Sequence, residues 1–208
     1  MGATAYFQEL FRVFSEAMAT DAGGIALDLD SALEKVIDRV KATPQKGGKL
    51  IFIGNGGSAA IASHQAVDYS KNGKIPAIAF NDASLLTCLS NDFGYAHVFE
   101  KAIQMFAGPQ DTLFAISSSG KSENILRGVR AAQEKGCSVV TFSGFDKVNP
   151  LRSLGETNFY VASHSYGQVE IAHLTLSHYI LDRLIEHAES GPQVRPEIRR
   201  YVPIGIPK

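Results

Sequence analysis

The chain has 208 residues, 45% of them hydrophobic, and carries 20 Lys and Arg against 21 Asp and Glu, a formal net charge of -1. That length suits one sizeable core and is short for two. The near-neutral balance leaves no electrostatic footprint for nucleic acid, and no apolar run approaches the roughly 20 residues of a membrane span. A cytoplasmic globular protein with neither kind of partner is therefore expected. The opening stretch MGATAYFQELFRVF is amphipathic and unlike a signal peptide. Cys88 and Cys137 both sit in apolar contexts and read as buried free thiols in a reducing compartment.

In chain order, residues 4–20 place Phe7, Leu10, Phe11, Phe14 and Met18 at helical spacing. Residues 25–43 repeat the pattern with Ile25, Leu27, Leu29, Leu33, Val36, Ile37 and Val40, so two helices are expected before any strand. Five short apolar runs bounded by turn residues follow: 49–54, 76–80, 111–117, 137–143 and 158–163. Helical patterns lie between most of them. Strand–helix alternation of this kind predicts a parallel sheet covered on both faces. The last helix is expected from about Gln168 to Glu189, and the Pro-rich tail 191–208 to be irregular. The expectation is one domain, with a helical pair at 1–46, an α/β core at 47–190 and the tail.

Open sheets of this class bind ligands at the C-terminal ends of strands, where the strand order reverses. Two strands here end in unusual loops. The first ends in Gly54-Asn55-Gly56-Gly57-Ser58, the third in Ser117-Ser118-Ser119-Gly120-Lys121-Ser122. With a sheet order of 2-1-3-4-5, these strands are neighbours and both loops face one crevice. A nucleotide P-loop would explain Gly120-Lys121-Ser122, but it requires Gly where Ala115 stands. A dinucleotide site would explain Gly54-x-Gly56-x-x-Ala59 and leave the serines without a role. A phosphate monoester uses both loops. Hydroxyls rotate to donate to phosphate oxygens, and a helix N-terminus supplies free amides and a favourable dipole. Four serines in six positions exceed what turn and capping chemistry needs.

The helix after Ser58 sets His64 and Asp68 four residues apart on one face, and the last helix carries Glu170, His173 and His178. Two histidines and two carboxylates suit a divalent transition metal, zinc being the plain choice, if the two helices meet. A lone helical histidine is more often an ordinary polar or core residue.

Across roughly residues 4–188 these features resemble the sugar isomerase (SIS) domain family, and within it the phosphoheptose isomerases. The resemblance rests on the paired N-terminal helices, GNGGS at 54–58, SNDFG at 90–94, SSSGKSEN at 117–124 and the late histidine helix. It implies a three-layer α/β sandwich with a five-stranded parallel sheet of flavodoxin-like order, preceded by two helices and assembled as a homotetramer with active sites at subunit interfaces. The implied reaction interconverts sedoheptulose 7-phosphate and D-glycero-D-manno-heptose 7-phosphate, for the lipopolysaccharide inner core. By position, Ser117, Ser118, Ser119 and Ser122 would hold the phosphate. Asn55, Gly56, Gly57, Ser58, Asp92 and Glu170 would contact the sugar. His64, Asp68, Glu170 and His178 fall on the family's zinc site, one ion per subunit, which normally reads His, Glu, Gln, His. Asp68 and His178 fall on the proton-transfer pair, and Gly167 stands where the family places a substrate-binding Asp. Some family members are non-catalytic binding proteins, including one that assembles the bacterial replication initiator. That group lacks the helix carboxylate and late histidine that this chain has at Asp68 and His178.

Overall fold

The computed structural model describes residues 2–189; the tail at 191–208 lies outside them. Helix α1 (Ala3–Ser15) is followed by a hairpin of β1 (Met18–Asp21) and β2 (Ala26–Leu27), then by α2 (Leu29–Gln45). Strand β3 (Leu50–Gly54) leads into α3 (Gly57–Lys71), and β4 (Ala77–Ala79) into α4 (Ala83–Phe93) and α5 (Val98–Phe106). The chain continues through β5 (Thr112–Ser117), α6 (Glu123–Glu134), β6 (Ser138–Gly144), β7 (Thr157–Val161) and α7 (Tyr166–Glu189). The sheet order is β2-β1-β7-β6-β5-β3-β4, with β3 to β7 parallel and the hairpin antiparallel on the edge of β7.

Two expectations therefore need correction. The sheet has seven strands rather than five, and a hairpin separates the two N-terminal helices. The helical spacing of 4–20 ran on through Met18, yet the chain is extended from there to Asp21. The turn has its own local cause. Asp21 Oδ1 accepts from the amides of Gly23 and Ile25, both at 2.9 Å, and Gly24 takes φ 77°. An Asp followed by two glycines is a turn signal that the apolar periodicity on either side concealed.

The central parallel strands are buried on both faces while the edge strand β4 is half-buried, and alternate residues separate into two cores. On one face Leu50, Phe52, Phe114, Phe142 and Phe159 pack against Val36, Ile37 and Val40 of α2, Tyr69 of α3 and Ile180 of α7. Phe52, Phe114, Phe142 and Phe159 form a ladder across four strands, with successive ring centroids at 4.8, 6.2 and 5.3 Å. On the other face Ile51, Ile53, Leu113 and Val139 pack against Phe99 and Ile103 of α5 and Ile125 and Val129 of α6. Helix α4 buries only Leu89, so Cys88 is exposed, not buried as expected; Cys137 is buried, and both thiols are free.

The N-terminal ends of β3 and β5 are closed by buried Asp111. One carboxylate oxygen accepts from the Lys49 amide (2.8 Å), the other from Lys49 Nζ (2.7 Å) and the Gly108 amide (2.9 Å). Beside it the hydroxyls of Thr43 and Thr112 share a 2.7 Å hydrogen bond. The opposite, C-terminal ends of the same strands carry the two unusual loops.

Candidate active site

Strands β3 and β5 are direct neighbours, in register Gly54 to Ile116, so the loops after them open together. They enclose a cavity of about 210 Å³ with the start of α7 as its third wall. Asn55, Gly56, Gly57 and Ser58 line it from one loop, Ser117, Ser118, Ser119 and Ser122 from the other, and Tyr166 and Glu170 from α7. An amide pair ties the two loops together. Asn55 Nδ2 donates to Asn124 Oδ1 and Asn124 Nδ2 donates back to Asn55 Oδ1, both at 2.9 Å. Tyr95 Oη donates to the same Asn55 oxygen at 2.9 Å. Sequence reasoning singled out Asn55 but missed Asn124 and Tyr95. Asn124 ends the SSSGKSEN run, but nothing local in the sequence announces a partner 69 residues away.

The serine loop is held rigidly. Gly120 sits at φ 61°, and a Cβ there would lie 1.9 Å from Asn149 Oδ1, so only glycine fits. The carbonyls of Ser117, Ser118 and Gly120 accept from the amides of Gly120, Gly144 and Leu151. Ser119 Oγ accepts from the Lys121 amide at 3.2 Å. Ser118 Oγ is buried and has no partner among the described residues. Among the described residues Ser117 Oγ meets only Ser122 Oγ, at 3.4 Å. Ser122 begins α6, yet its side chain makes no capping bond; Gly56 likewise begins α3 with no side-chain cap. Two helix N-termini thus open onto one cavity lined with hydroxyls, an arrangement built for an anion. The features a P-loop needs are missing. Ala115 is buried in β5, and Lys121 turns outward to pair with Asp146 at 2.9 Å, which holds that carboxylate below its usual range.

Helices α3 and α7 do meet, and three of the four expected metal ligands converge there. His64 Nε2 lies 3.2 Å from His178 Nε2 and 3.2 Å from Asp68 Oδ2, and His178 Nδ1 lies 3.9 Å from the same oxygen. Ligating atoms of all three fit within 4.8 Å of one another. Two imidazole nitrogens and one carboxylate oxygen are a donor set for zinc or a similar divalent ion; the two 3.2 Å separations at His64 are close to the roughly 3.3 Å edge of a tetrahedron with Zn–N bonds of about 2.0–2.1 Å, and the His178–Asp68 separation of 3.9 Å is wider. The residues present fit such an ion. Asp68 has both oxygens engaged, since Oδ1 also accepts from Asn72 Nδ2 at 3.3 Å.

Glu170 is not in this cluster. Its carboxylate lies in the serine cavity, against Gly57 at the start of α3; a Cβ at position 57 would come within 2.4 Å of all three carboxyl atoms. Asp92 is exposed on the last turn of α4, where Asn91 Nδ2 donates to it at 2.9 Å, and it does not line the cavity. His173 is a core residue. Its Nε2 donates to the Ser143 carbonyl at 3.0 Å, its Nδ1 is buried without a partner among the described residues, and burial lowers its pKa to about 4. By helical rise, His64 lies about 9 Å along α3 from Ser58, and His178 about 12 Å along α7 from Glu170.

The SIS domain family model matches residues 6–144. A phosphoheptose isomerase from Geobacter sp. (strain M21) is 33% identical over 177 residues, which are 82% of this chain and 90% of the relative. One from Burkholderia pseudomallei (strain 1710b) is 36% identical over 169 residues, 78% and 85% of the two chains. The solved structure of phosphoheptose isomerase GmhA from Neisseria gonorrhoeae superposes with a TM-score of 0.74 at 30% identity, covering 87% of this chain and 96% of that one. Matched over its loops, its sheet and its helices by relatives of nearly its own span, the chain belongs to the SIS domain family.

Proposed function

We propose that the chain is a phosphosugar aldose–ketose isomerase, acting on sedoheptulose 7-phosphate and D-glycero-D-manno-heptose 7-phosphate as its curated relatives' name suggests. The observation that carries this reading is the buried Ser118 hydroxyl, unpartnered among the described residues, in a cavity onto which the serine-lined start of α6 opens. Burying a hydroxyl without a partner costs about 1–3 kcal/mol, and a phosphate oxygen removes that cost. The serines hold the phosphate, while Asn55 and Ser58 position the adjoining carbons. From there a sugar chain runs along the seam of α3 and α7 towards His64, Asp68 and His178. A span of about 9–12 Å suits several carbons between phosphate and carbonyl, which favours a long sugar.

His64, Asp68 and His178 would hold a divalent metal, zinc by its donor set, and such an ion supplies Lewis-acid polarisation of a carbonyl. His178 would pass a proton at the carbonyl oxygen through the ring nitrogen that does not bind the ion. Asp68 is the family's catalytic carboxylate shortened by one methylene; with both oxygens engaged it orients the two histidines. A homotetramer is part of the reading. Helix α1 buries Val13 within the chain but leaves Phe7 and Phe11 64% and 71% exposed, apolar surface that a second copy would cover. Light scattering at micromolar concentration reads this directly, and a monomer would count against it.

The deciding experiment assays five- to seven-carbon phosphosugars for isomerisation after chelation and again with zinc restored. Turnover of the seven-carbon pair, dependent on zinc, is the expected result. Binding without turnover would make the chain a phosphosugar-binding relative rather than an enzyme, and binding of none would overturn the reading.

A further inference from the structure

Two helix N-termini face the cavity, and they are not equivalent. At the start of α6 the groups on offer are serine hydroxyls, which an anion can use. At the start of α3 the place is taken by the Glu170 carboxylate, which packs on Gly57. Among the described residues Glu170 has no hydrogen-bond or ion-pair partner, although it is half-buried. Every other group lining the cavity is neutral, and Lys121, the cation of the serine loop, is committed to Asp146 outside it. A site shaped to receive negative charge therefore contains one negative charge of the protein's own.

Size does not explain what such a cavity excludes. At about 30 Å³ per water, 210 Å³ amounts to roughly seven waters. That is room for more than one phosphate group. Charge does explain it. A first phosphate goes to α6, but a second phosphate joined to it would be driven against Glu170, which already occupies the α3 terminus. Like charges without a screening cation between them repel strongly in a partly desolvated site. Sugar hydroxyls, by contrast, can donate to the same carboxylate.

We infer that Glu170 is a specificity-determining residue that restricts the serine cavity to a single phosphate, so that it takes monophosphate esters of polyols and turns away diphosphates, nucleotides included. This rests on the phosphosugar reading above and adds the charge class of its ligand. The selectivity is by repulsion, a built-in obstacle to the wrong ligand rather than an extra contact with the right one.

The test is calorimetric titration of wild type and Glu170→Gln, at matched metal content, with orthophosphate, pyrophosphate and sedoheptulose 7-phosphate. Glu170→Gln keeps the shape and removes the charge. Pyrophosphate affinity should rise tenfold or more in the variant, while orthophosphate affinity changes less than about threefold. No gain for pyrophosphate, or an equal gain for both anions, would overturn the inference while leaving the phosphosugar reading in place. Failure of wild type to bind sedoheptulose 7-phosphate would instead remove the reading on which it rests.

Discussion

The two ends of strands β3 and β5 are built by opposite rules. At the N-terminal end Asp111 accepts three hydrogen bonds, from two amides and one ammonium, and neighbouring Thr43 and Thr112 satisfy each other. At the C-terminal end Ser118 is buried without a partner and Glu170 faces the cavity unpaired, among the described residues. The same sheet supplies both ends, so the difference is not one of scaffold. A saturated polar cluster stabilises the fold and has nothing left to offer a ligand. An unsaturated one costs stability and keeps its hydrogen-bonding capacity free.

The sharpest way to break this contrast is at Asp111. Asp111→Ala leaves two amides and a half-buried ammonium without their acceptor and should cost about 3–5 kcal/mol in denaturant unfolding, with phosphosugar binding unchanged in the folded fraction. A cost below 1 kcal/mol would mean the saturated end is not a stabilising device. The next effect depends on pH. His173 titrates near pH 4 when folded, against about 6.5 when unfolded, because burial disfavours its charge. Between those values the unfolded chain binds the additional proton. Its contribution is therefore complete above pH 6.5 and is lost as pH falls towards 4, by up to about 3 kcal/mol. Thermal melts across that window should show the slope in wild type and a flatter one in His173→Leu.

Ser118→Ala should behave in the reverse sense from Asp111→Ala. Removing an unpartnered buried hydroxyl should leave stability unchanged or raise it by up to about 1 kcal/mol, and should weaken phosphosugar binding about tenfold. Lost stability with unaltered binding would assign Ser118 to the scaffold. The smallest effect is expected at Lys121. The Lys121–Asp146 pair is 57% and 41% exposed, so Lys121→Ala should cost less than about 1 kcal/mol. Phosphate affinity should change less than threefold; a larger loss would show that the lysine leaves Asp146 to meet the ligand.

Sequence patterning reached the parts of this molecule that are local or periodic. The parallel strands could be found because β3 and β5 are continuous apolar runs, the mark of burial on both faces. The serine loop and the His64–Asp68 pair are local too, the latter set by helical repeat. What stayed hidden depends on distant partners or on the direction of one side chain. The β1–β2 hairpin takes its place by pairing with β7 and by packing Ala19 and Leu27 on the core, and Asn124 acquires its role only when Asn55 reaches it. Position along α7 suggested Glu170 as a metal ligand, yet the side chain points to the start of α3. The departures from the family's usual ligand set were visible in the sequence, whereas their consequence needed the geometry.

The hairpin also bears on how the chain reaches its final form. Met18–Asp21 pair with Thr157–Tyr160, and buried Asn158 donates back to the carbonyls of Thr20 and Asp21 across 138 and 137 residues. A segment must wait for one made well over a hundred residues later, and α1, which packs on α7, must wait with it. Contacts this far apart in sequence slow folding, because chain entropy is lost before they form. On the ribosome the central strands can assemble in order as they emerge, while α1, with Phe7 and Phe11 uncovered, stays unanchored until β7 and α7 are released.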